Sequence, residues 1–312
     1  MTELAHAHSL ALVGPTASGK SELALAVAHE LRDVEIVSVD SMQVYRGLDI
    51  GTAKPTARER AAVPHHLIDV ADPSEDWSAA RFQAAARAAV AEIDARGRRA
   101  LLVGGTGLYV QAVIDPLTFP RQDLAVRAEL EHDVRTADGL AAAYAQLERL
   151  DPVAAARIEP GNARRIVRAL EVMRLTGEPF SATGSGMQTY REPVFPVSIV
   201  GVSLPKDVLD RRIDQRLASM REAGFVDEVR ALARRGALSR TARQAIGYRE
   251  LLAYVDGSEP SLDAAFDQAA RRTKRFARRQ LRWFRRDPRI TWLEAQHNPC
   301  EVLPSLLALW SR

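Results

Sequence analysis

The residues best able to do chemistry lie near the amino terminus, in a segment that fits the phosphate-loop pattern G-x-x-x-x-G-K-[ST]. The segment consists of Gly14, Pro15, Thr16, Ala17, Ser18, Gly19, Lys20 and Ser21. Its glycines allow backbone N–H groups to approach phosphate oxygens closely, its lysine adds a positive charge, and its last hydroxyl is placed to bind a Mg²⁺ ion shared with the phosphates. The segment predicts a bound phosphate compound without saying which one.

The elements on either side of this loop support that prediction. Residues 9–13 (SLALV) have the length and composition of a buried strand, and residues 22–31 carry apolar side chains at helical spacing. A strand, a loop and a helix in this order direct a helix N-terminus at one anion. The alternative is a Gly- and Ser-rich turn of no function, and both flanking elements argue against it.

Two further polar positions follow predicted buried strands. Asp40 comes after residues 35–39 (EIVSV), and Thr106 lies in a Gly-Gly-Thr-Gly segment after residues 99–103 (RALLV). Because ligands of open parallel sheets bind at the carboxyl ends of the strands, we expect both side chains near the phosphate loop. Asp40 is compatible with a metal ligand, a general base or a turn cap, and Thr106 with ligand binding or a tight turn. The third strand lacks the acid of a hydrolysing ATPase, which disfavours that class.

The alternation of strands and helices predicts an α/β fold, with a P-loop NTPase-like parallel sheet and helices on both faces. Residues 78–96 are a predicted crossover helix, and residues 197–204 are a further strand. Between them the pattern is mainly helical, so we expect a core of residues 1–115 and 197–312 with an inserted helical subdomain at 116–196. Other helices are predicted at residues 123–135, 139–150, 163–175, 207–222 and 226–234.

Composition describes an ordinary globular chain with an uneven charge distribution. The 312 residues are 46% hydrophobic and carry a net charge of +3, but residues 201–312 hold 22 Lys and Arg against 14 Asp and Glu. Residues 271–289 contain ten basic residues and one acid, interleaved with Phe276, Trp283 and Phe284. Such a segment is either a solvated helix face or a surface for a polyanion, with nucleic acid the leading candidate.

Single residues elsewhere in the chain also bear on the chemistry of the site. Arg212 and Arg216 share one face of a predicted helix, where they either pair with Asp210 and Asp214 or clamp a second phosphate oxygen. Cys300 is the single cysteine, which excludes an internal disulfide and argues against a zinc site. We expect a cytoplasmic location, since no leader or membrane segment is evident. His65 and His66 are expected in a loop.

Several motifs together resemble the tRNA dimethylallyltransferase (isopentenyltransferase) family over about residues 9–290. They are GPTASGKS, SVDSMQVYRGLDIGTAKP, LLVGGTGLY, DPVAAARI, RALEV and GYREL. The resemblance implies transfer of a dimethylallyl group from dimethylallyl diphosphate to N6 of adenosine 37, beside the anticodon of tRNA. It also implies release of diphosphate and a requirement for Mg²⁺.

The resemblance assigns roles to individual residues. The phosphate loop and Arg216 bind the diphosphate, Ser21 binds the Mg²⁺, Asp40 takes the proton of the target amine, and Thr106 holds donor oxygens. Contacts with tRNA are implied for Asp40, Ser41, Met42, Gln43, Arg164, Arg165, Arg168, Arg243, Gly247, Tyr248, Arg275 and Arg282. Among these, Gln43 is the candidate for reading a base, and Arg165 and Arg168 have solvated helix positions as their alternative.

We expect the bacterial type of enzyme, acting as a monomer without contact to a membrane. His297 and Cys300 do not make the zinc finger that similar eukaryotic enzymes carry, and the last twenty or so residues match no pattern. Two other functions share some of these features: a small-molecule or nucleotide kinase with the same loop, and an RNA-binding module without catalysis. Consumption of ATP would favour the first, and tRNA binding without turnover the second.

Overall fold

The computed structural model describes residues 9–183, 190–236 and 238–310, and its centre is a six-stranded parallel sheet. The strands are β1 (Ser9–Val13), β2 (Val34–Ser38), β3 (His65–His66), β4 (Arg99–Gly104), β5 (Val197–Ser203) and β6 (Thr291–Glu294), in the spatial order β3-β2-β4-β1-β5-β6. All of their pairings are parallel. The predicted α/β class and parallel sheet are therefore confirmed.

Helices connect and cover the strands. They are α1 (Lys20–Leu31), α2 (Ala57–Ala62), α3 (Ala79–Ala95), α4 (Gly107–Ile114), α5 (Leu124–Asp133), α6 (Ala137–Leu150), α7 (Pro152–Ala155), α8 (Ala163–Thr176), α9 (Phe180–Thr183), α10 (Lys206–Glu222), α11 (Phe225–Arg235), α12 (Arg240–Arg243), α13 (Tyr248–Val255), α14 (Leu262–Phe284) and α15 (Leu303–Trp310). A 3₁₀ helix, Pro299–Val302, precedes the last of them. In the described part of the chain, no helix is long and apolar enough to span a bilayer.

The apolar side chains of β1 alternate between the two faces of the sheet. Leu10 and Leu12 belong to a core shared with α1 and α15, and Ala11 and Val13 belong to one shared with α3, α4 and α14. All five residues of the strand are buried because β1 lies between β4 and β5. Helices on both faces are the expected arrangement for a parallel sheet.

The register of the sheet brings three strand ends together. Val13 of β1 is paired with Gly104 of β4, and Ser38 of β2 is paired with Val103 of the same strand. The segments that follow β1, β2 and β4 therefore leave the sheet side by side, at the edge where parallel sheets bind ligands.

The chain divides into two compact units, one made of residues 1–115 and 192–312 and the other of residues 116–191. The second unit contains α5 to α9 around its own apolar cluster, which includes Leu147, Ile166 and Leu170. The chain has returned to the first unit by residue 194, because the Val194 N–H donates to the Ile114 carbonyl oxygen at 2.8 Å. This bond places the return earlier than residue 197.

Three elements near the ends of the sheet differ from the sequence prediction. His65 and His66 form β3 instead of a loop, paired with Ile36 and Val37, because a strand of two residues has no periodicity to reveal it. The carboxyl-terminal segment, which matched no sequence pattern, contains β6 and α15. Trp310 of α15 is buried in the core that also contains Leu10 and Leu12. The edge strand β6 is short, so its pairing with β5 was equally invisible in the sequence.

Candidate active site

A cavity of about 560 Å³ lies at the carboxyl ends of β1, β2 and β4, entirely within the first unit. It combines charged, polar and apolar walls, as small-molecule sites do. Residues lining it include Thr16, Ala17, Gly19, Lys20, Ser21, Leu25, Ile36, Asp40, Gln43, Lys54, Val103, Gly105, Arg212, Arg216, Phe276 and Gln280. The structure thus brings the phosphate loop, Asp40 and Arg216 to one space.

The phosphate loop ends in an uncapped helix. Helix α1 begins at Lys20, and its N-cap residue Gly19 has a φ of 82° and supplies no side-chain cap. The first-turn N–H groups therefore point out of the helix without intrahelical partners, which suits an anion. Gly14 is required for space, because a Cβ there would lie 2.4 Å from the Val202 carbonyl oxygen.

Lys20 carries a positive charge that the fold does not balance. Its Nζ donates to the Pro15 carbonyl oxygen at 2.6 Å, and among the described residues no carboxylate forms an ion pair with it. Burial, and then the positive charge of Arg216, lower the pKa of Lys20 from 10.5 to about 7, although Asp40 opposes the shift. An anion bound here would favour the charged form of Lys20.

Helix α10 adds two arginines to the same wall. Arg216 Nη1 donates to Thr16 Oγ1 at 3.4 Å, and Arg212 Nε donates to the Ala17 carbonyl oxygen at 3.0 Å. Burial, followed by the charge of Arg212, lowers the pKa of Arg216. Arg212 also pairs with Glu22 at 3.5 Å.

The alternative partners of these arginines are occupied elsewhere. Asp210 pairs with Lys206 at 3.1 Å, and Asp214 pairs with Lys274 at 2.7 Å. The surface ion pairs weighed for Arg212 and Arg216 therefore do not form with these two acids.

Asp40 has one of the three roles left open by the sequence and also lies at the cavity. Its Oδ1 accepts the N–H groups of Met42 at 2.8 Å and Gln43 at 3.3 Å, which makes it a turn cap, and its carboxylate also lines the cavity. Thr106 lies beside the cavity but is not one of its lining residues. Its Oγ1 is 3.4 Å from the Ser41 amide nitrogen, so it is held next to the Asp40 turn.

The opposite wall is fixed by its own hydrogen bonds. The amide of Gln43 accepts from Ser38 Oγ at 2.8 Å and donates to the Thr52 carbonyl oxygen at 3.2 Å. Gln43 lines the cavity. Its side-chain amide already hydrogen-bonds within the wall, a pairing not expected for a residue predicted from the sequence to read a base.

Lys54 fixes the same wall through charge. Its side chain is 2% exposed, and Nζ donates to the Tyr45 carbonyl oxygen at 2.8 Å, to Asp49 at 2.6 Å and to Asp69 at 2.7 Å. Burial alone would raise the pKa of Asp69, but the hydrogen bonds from Lys54 and Arg60 outweigh it and lower the pKa. Lys54 is therefore a cation balanced within the fold.

Tyr248 and Gly247, two further residues expected to contact tRNA, are buried. Tyr248 is 1% exposed, packs edge-on against Phe225, and donates its hydroxyl to Glu228 at 2.6 Å. The Glu228 carboxylate also accepts the Ile50 N–H at 2.8 Å, so this buried pair supports the wall of residues 49–51. Gly247 is also buried, and direct contact with tRNA stays a prediction for both residues.

The other expected tRNA contacts separate into two kinds. Arg168 donates to the Pro120 carbonyl oxygen at 2.8 Å and pairs at 2.8 Å with Glu171, which is fully buried, so it ties its own unit together instead of lying solvated. The remaining arginines are exposed: Arg164, Arg165, Arg243, Arg275 and Arg282.

Helix α14 shows why its arginines are exposed. Its buried face includes Phe266, Ala277, Gln280 and Phe284. The exposed arginines of the helix lie on the opposite side, at positions 271, 275, 278, 279 and 282. Gln280 was not identified as a site residue from the sequence, because a single glutamine among arginines matches no motif.

Two family profiles match the chain, that of IPP transferase over residues 43–287 and that of isopentenyl transferase over residues 7–70. The tRNA dimethylallyltransferase of Kineococcus radiotolerans is 52% identical over 292 residues, covering 92% of this chain and 90% of the relative. The tRNA dimethylallyltransferase of Bifidobacterium longum is 49% identical over 290 residues, covering 92% and 86%.

Two crystal structures are also similar. The tRNA isopentenylpyrophosphate transferase of Bacillus halodurans is 42% identical with a TM-score of 0.69, and the match covers 97% of each chain. A eukaryotic dimethylallyltransferase acting on tRNA is 26% identical with a TM-score of 0.77, and the match covers 92% of this chain and 74% of that one.

Proposed function

This chain belongs to the IPP transferase family, and from that membership and its cavity we propose that it is a tRNA dimethylallyltransferase. It transfers the dimethylallyl group of dimethylallyl diphosphate to N6 of adenosine 37, beside the anticodon, and releases diphosphate and tRNA containing N6-dimethylallyladenosine. The observation that carries this proposal is the unbalanced charge of Lys20 and Arg216 on one wall of a cavity that also contains Asp40.

The phosphate loop holds the departing diphosphate. Negative charge grows on the bridging oxygen as its bond to the allylic carbon breaks, and Lys20, Arg216 and the first-turn N–H groups of α1 stabilise that charge. Thr16 is fixed beside Arg216 and belongs to the same cradle. The apolar side chains of Leu25, Ile36 and Val103 line the cavity and suit a five-carbon hydrocarbon.

The donors near the loop fit a Mg²⁺ ion. Ser21 lines the cavity from the first turn of α1, and hydroxyl and carboxylate oxygens are ligands that Mg²⁺ accepts. Within the described residues no group of three or more His, Cys, Asp or Glu is arranged around a metal, so diphosphate and water would complete the coordination. Such an ion neutralises charge on the diphosphate.

Asp40 acts on the acceptor. N6 of adenine forms a bond to the allylic carbon, the electron pair of the C–O bond leaves with the diphosphate, and Asp40 takes the proton released from N6. Its bonds from Met42 and Gln43 fix the carboxylate before substrate binds. Thr106 is held beside this turn, where we place its contact with donor oxygens.

The exposed arginines bind the tRNA backbone. The target adenine must leave its stack to enter the cavity, so the surrounding phosphates need a positive surface. We assign this role to Arg164, Arg165, Arg243, Arg275 and Arg282. We also propose that the protein is a monomer and works in the cytoplasm.

Incubation with dimethylallyl diphosphate, Mg²⁺ and unmodified tRNA tests the function. Mass spectrometry of the digested tRNA should detect dimethylallyladenosine, and the same mixture with ATP in place of the donor should not. Transfer of the ATP γ-phosphate with unmodified tRNA would identify a kinase, and tRNA binding without turnover would identify a binding module.

A further inference from the structure

Gln280 joins two segments of the active site that are far apart in sequence. Its Oε1 accepts the Thr16 N–H at 2.8 Å, and its Nε2 donates to the Gly105 carbonyl oxygen at 2.7 Å. The side chain is buried, with 7% exposure, so both of its polar atoms need these partners. One carboxamide thus bridges the phosphate loop and the glycine-rich turn after β4.

The contacts around the bridge leave little freedom. A Cβ at Gly105 would lie 2.4 Å from Gln280 Nε2, and one at Gly107 would lie 2.2 Å from a ring carbon of Trp283 on the next turn of α14. Ala277, also on the buried side of the helix, packs in one apolar cluster with Ala17 of the phosphate loop. Helix α14 is therefore seated directly on both loops.

The two bridged segments support different parts of the proposed active site. Thr16 contacts Arg216 on the wall assigned to the diphosphate. Gly105 immediately precedes Thr106, which contacts Ser41 next to the acceptor-side residue Asp40. The separation of these segments sets the distance between the leaving group and the base, and misplacement by about 1 Å can cost about 100-fold in rate.

We propose that Gln280 is a positioning residue, which holds the phosphate loop and the turn of residues 104–107 at the separation required for dimethylallyl transfer. The expected effect of Gln280 on the transfer rate rests on the proposed function. It concerns alignment and not binding, because the hydrogen bonds of Gln280 go to the backbone at Thr16 and Gly105 and not to Lys20 or the exposed arginines.

The kinetic test replaces Gln280 by methionine, which has a similar shape but no amide. We expect Gln280→Met to lower the single-turnover rate at saturating donor and tRNA by about 100-fold, with dissociation constants for both substrates changed less than about threefold. Gln268→Met is the matched control, since Gln268 is an exposed glutamine of the same helix. An unchanged rate, or a loss confined to donor affinity, would overturn the proposal.

A second lesion tests whether the bridge acts as a unit. Gly105→Ala should displace the carboxamide, so the double variant with Gln280→Met should be no slower than the slower single variant. Multiplication of the two losses would mean that they are independent and that the bridge is not the cause.

Amide exchange tests the bridge without any activity or variant. In the substrate-free wild-type protein, the Thr16 N–H should exchange slowly because it is partly buried and donates to the Gln280 side chain. Fast exchange would overturn the bridge even if transfer is observed. A wild-type protein that protects this amide but makes no dimethylallyl-tRNA would instead contradict the proposed function.

Discussion

Lys20 and Lys54 line the same cavity, but their ammonium groups meet opposite surroundings. Lys54 lies between the carboxylates of Asp49 and Asp69, and its charge is balanced before any ligand binds. Lys20 donates to a carbonyl oxygen and has the cationic Arg216 as a neighbour. A bound anion would therefore stabilise the phosphate-loop wall, whereas the charge of Lys54 on the opposite wall is already neutralised within the fold.

This difference distinguishes residues that bind the substrate from residues that hold the fold together. A buried cation with two carboxylate partners holds chain segments together, because removing any one charge leaves the others uncompensated. A buried cation with no acid partner destabilises the empty protein and is stabilised by its ligand. The same reasoning separates Arg216 from Arg168, which is paired with the buried Glu171.

The largest expected effect is on catalysis, from Lys20→Met. Loss of the charge that stabilises the leaving diphosphate should lower the transfer rate by about 1,000-fold, while the unfolding midpoint stays the same or rises. Rates under single turnover and denaturant unfolding measure the two effects. Lys206→Met is the control, because Lys206 is an exposed lysine that does not line the cavity. A rate within threefold of wild type would remove Lys20 from its proposed role.

Lys54→Met should show the reverse pattern. Removing the cation leaves Asp49 without its ammonium partner and Asp69 with Arg60 alone, so we expect the free energy of unfolding to fall by about 2 kcal/mol. Addition of Asp69→Asn should recover part of this loss. If Lys54→Met kept full stability and lost only transfer, the two lysines would not differ as their surroundings indicate.

The pH dependence of donor binding comes next in size. With a pKa of about 7, Lys20 in the free enzyme loses its proton as the pH rises, and the diphosphate must then bind together with a proton. Donor affinity should fall by about fivefold from pH 7 to pH 8 and by about tenfold per pH unit beyond that. Calorimetry on wild type and Lys20→Met checks this. A fall of the same size in the variant would assign it to another group.

The smallest effects are expected from single arginines of α14. Arg275→Ala and Arg282→Ala should each weaken tRNA binding severalfold and lower the slope of log affinity against log salt concentration by about 1, with donor affinity unchanged. Arg168→Ala should instead destabilise its own unit, since Arg168 is tied to Glu171. Salt titrations of tRNA binding distinguish these results, and indifference to both α14 changes would leave that face merely solvated.

The phosphate loop was predictable because its motif is local and its flanking strand and helix have clear periodicity. Asp40 was predictable for a related reason, since parallel strands deliver their following residues to one edge. Both predictions needed only the chain within a few residues of the motif.

Other parts of the site depend on distant partners. Tyr248 belongs to a motif of the family, but a motif does not tell whether its side chain faces the interior, and the partner that holds it inside is Glu228. The bridge through Gln280 joins residues 264 positions apart, and nothing in its local sequence marks it. Contacts of this kind become visible only once the helices are packed.

The most direct measurement of the central claim is the stoichiometry of one turnover. Enzyme in excess over dimethylallyl diphosphate, mixed with Mg²⁺ and unmodified tRNA, should release one diphosphate for every dimethylallyl group found on adenosine, and release should cease when tRNA is left out. Diphosphate released without modified tRNA, or ATP cleaved at a rate that dimethylallyl diphosphate does not alter, would contradict the account.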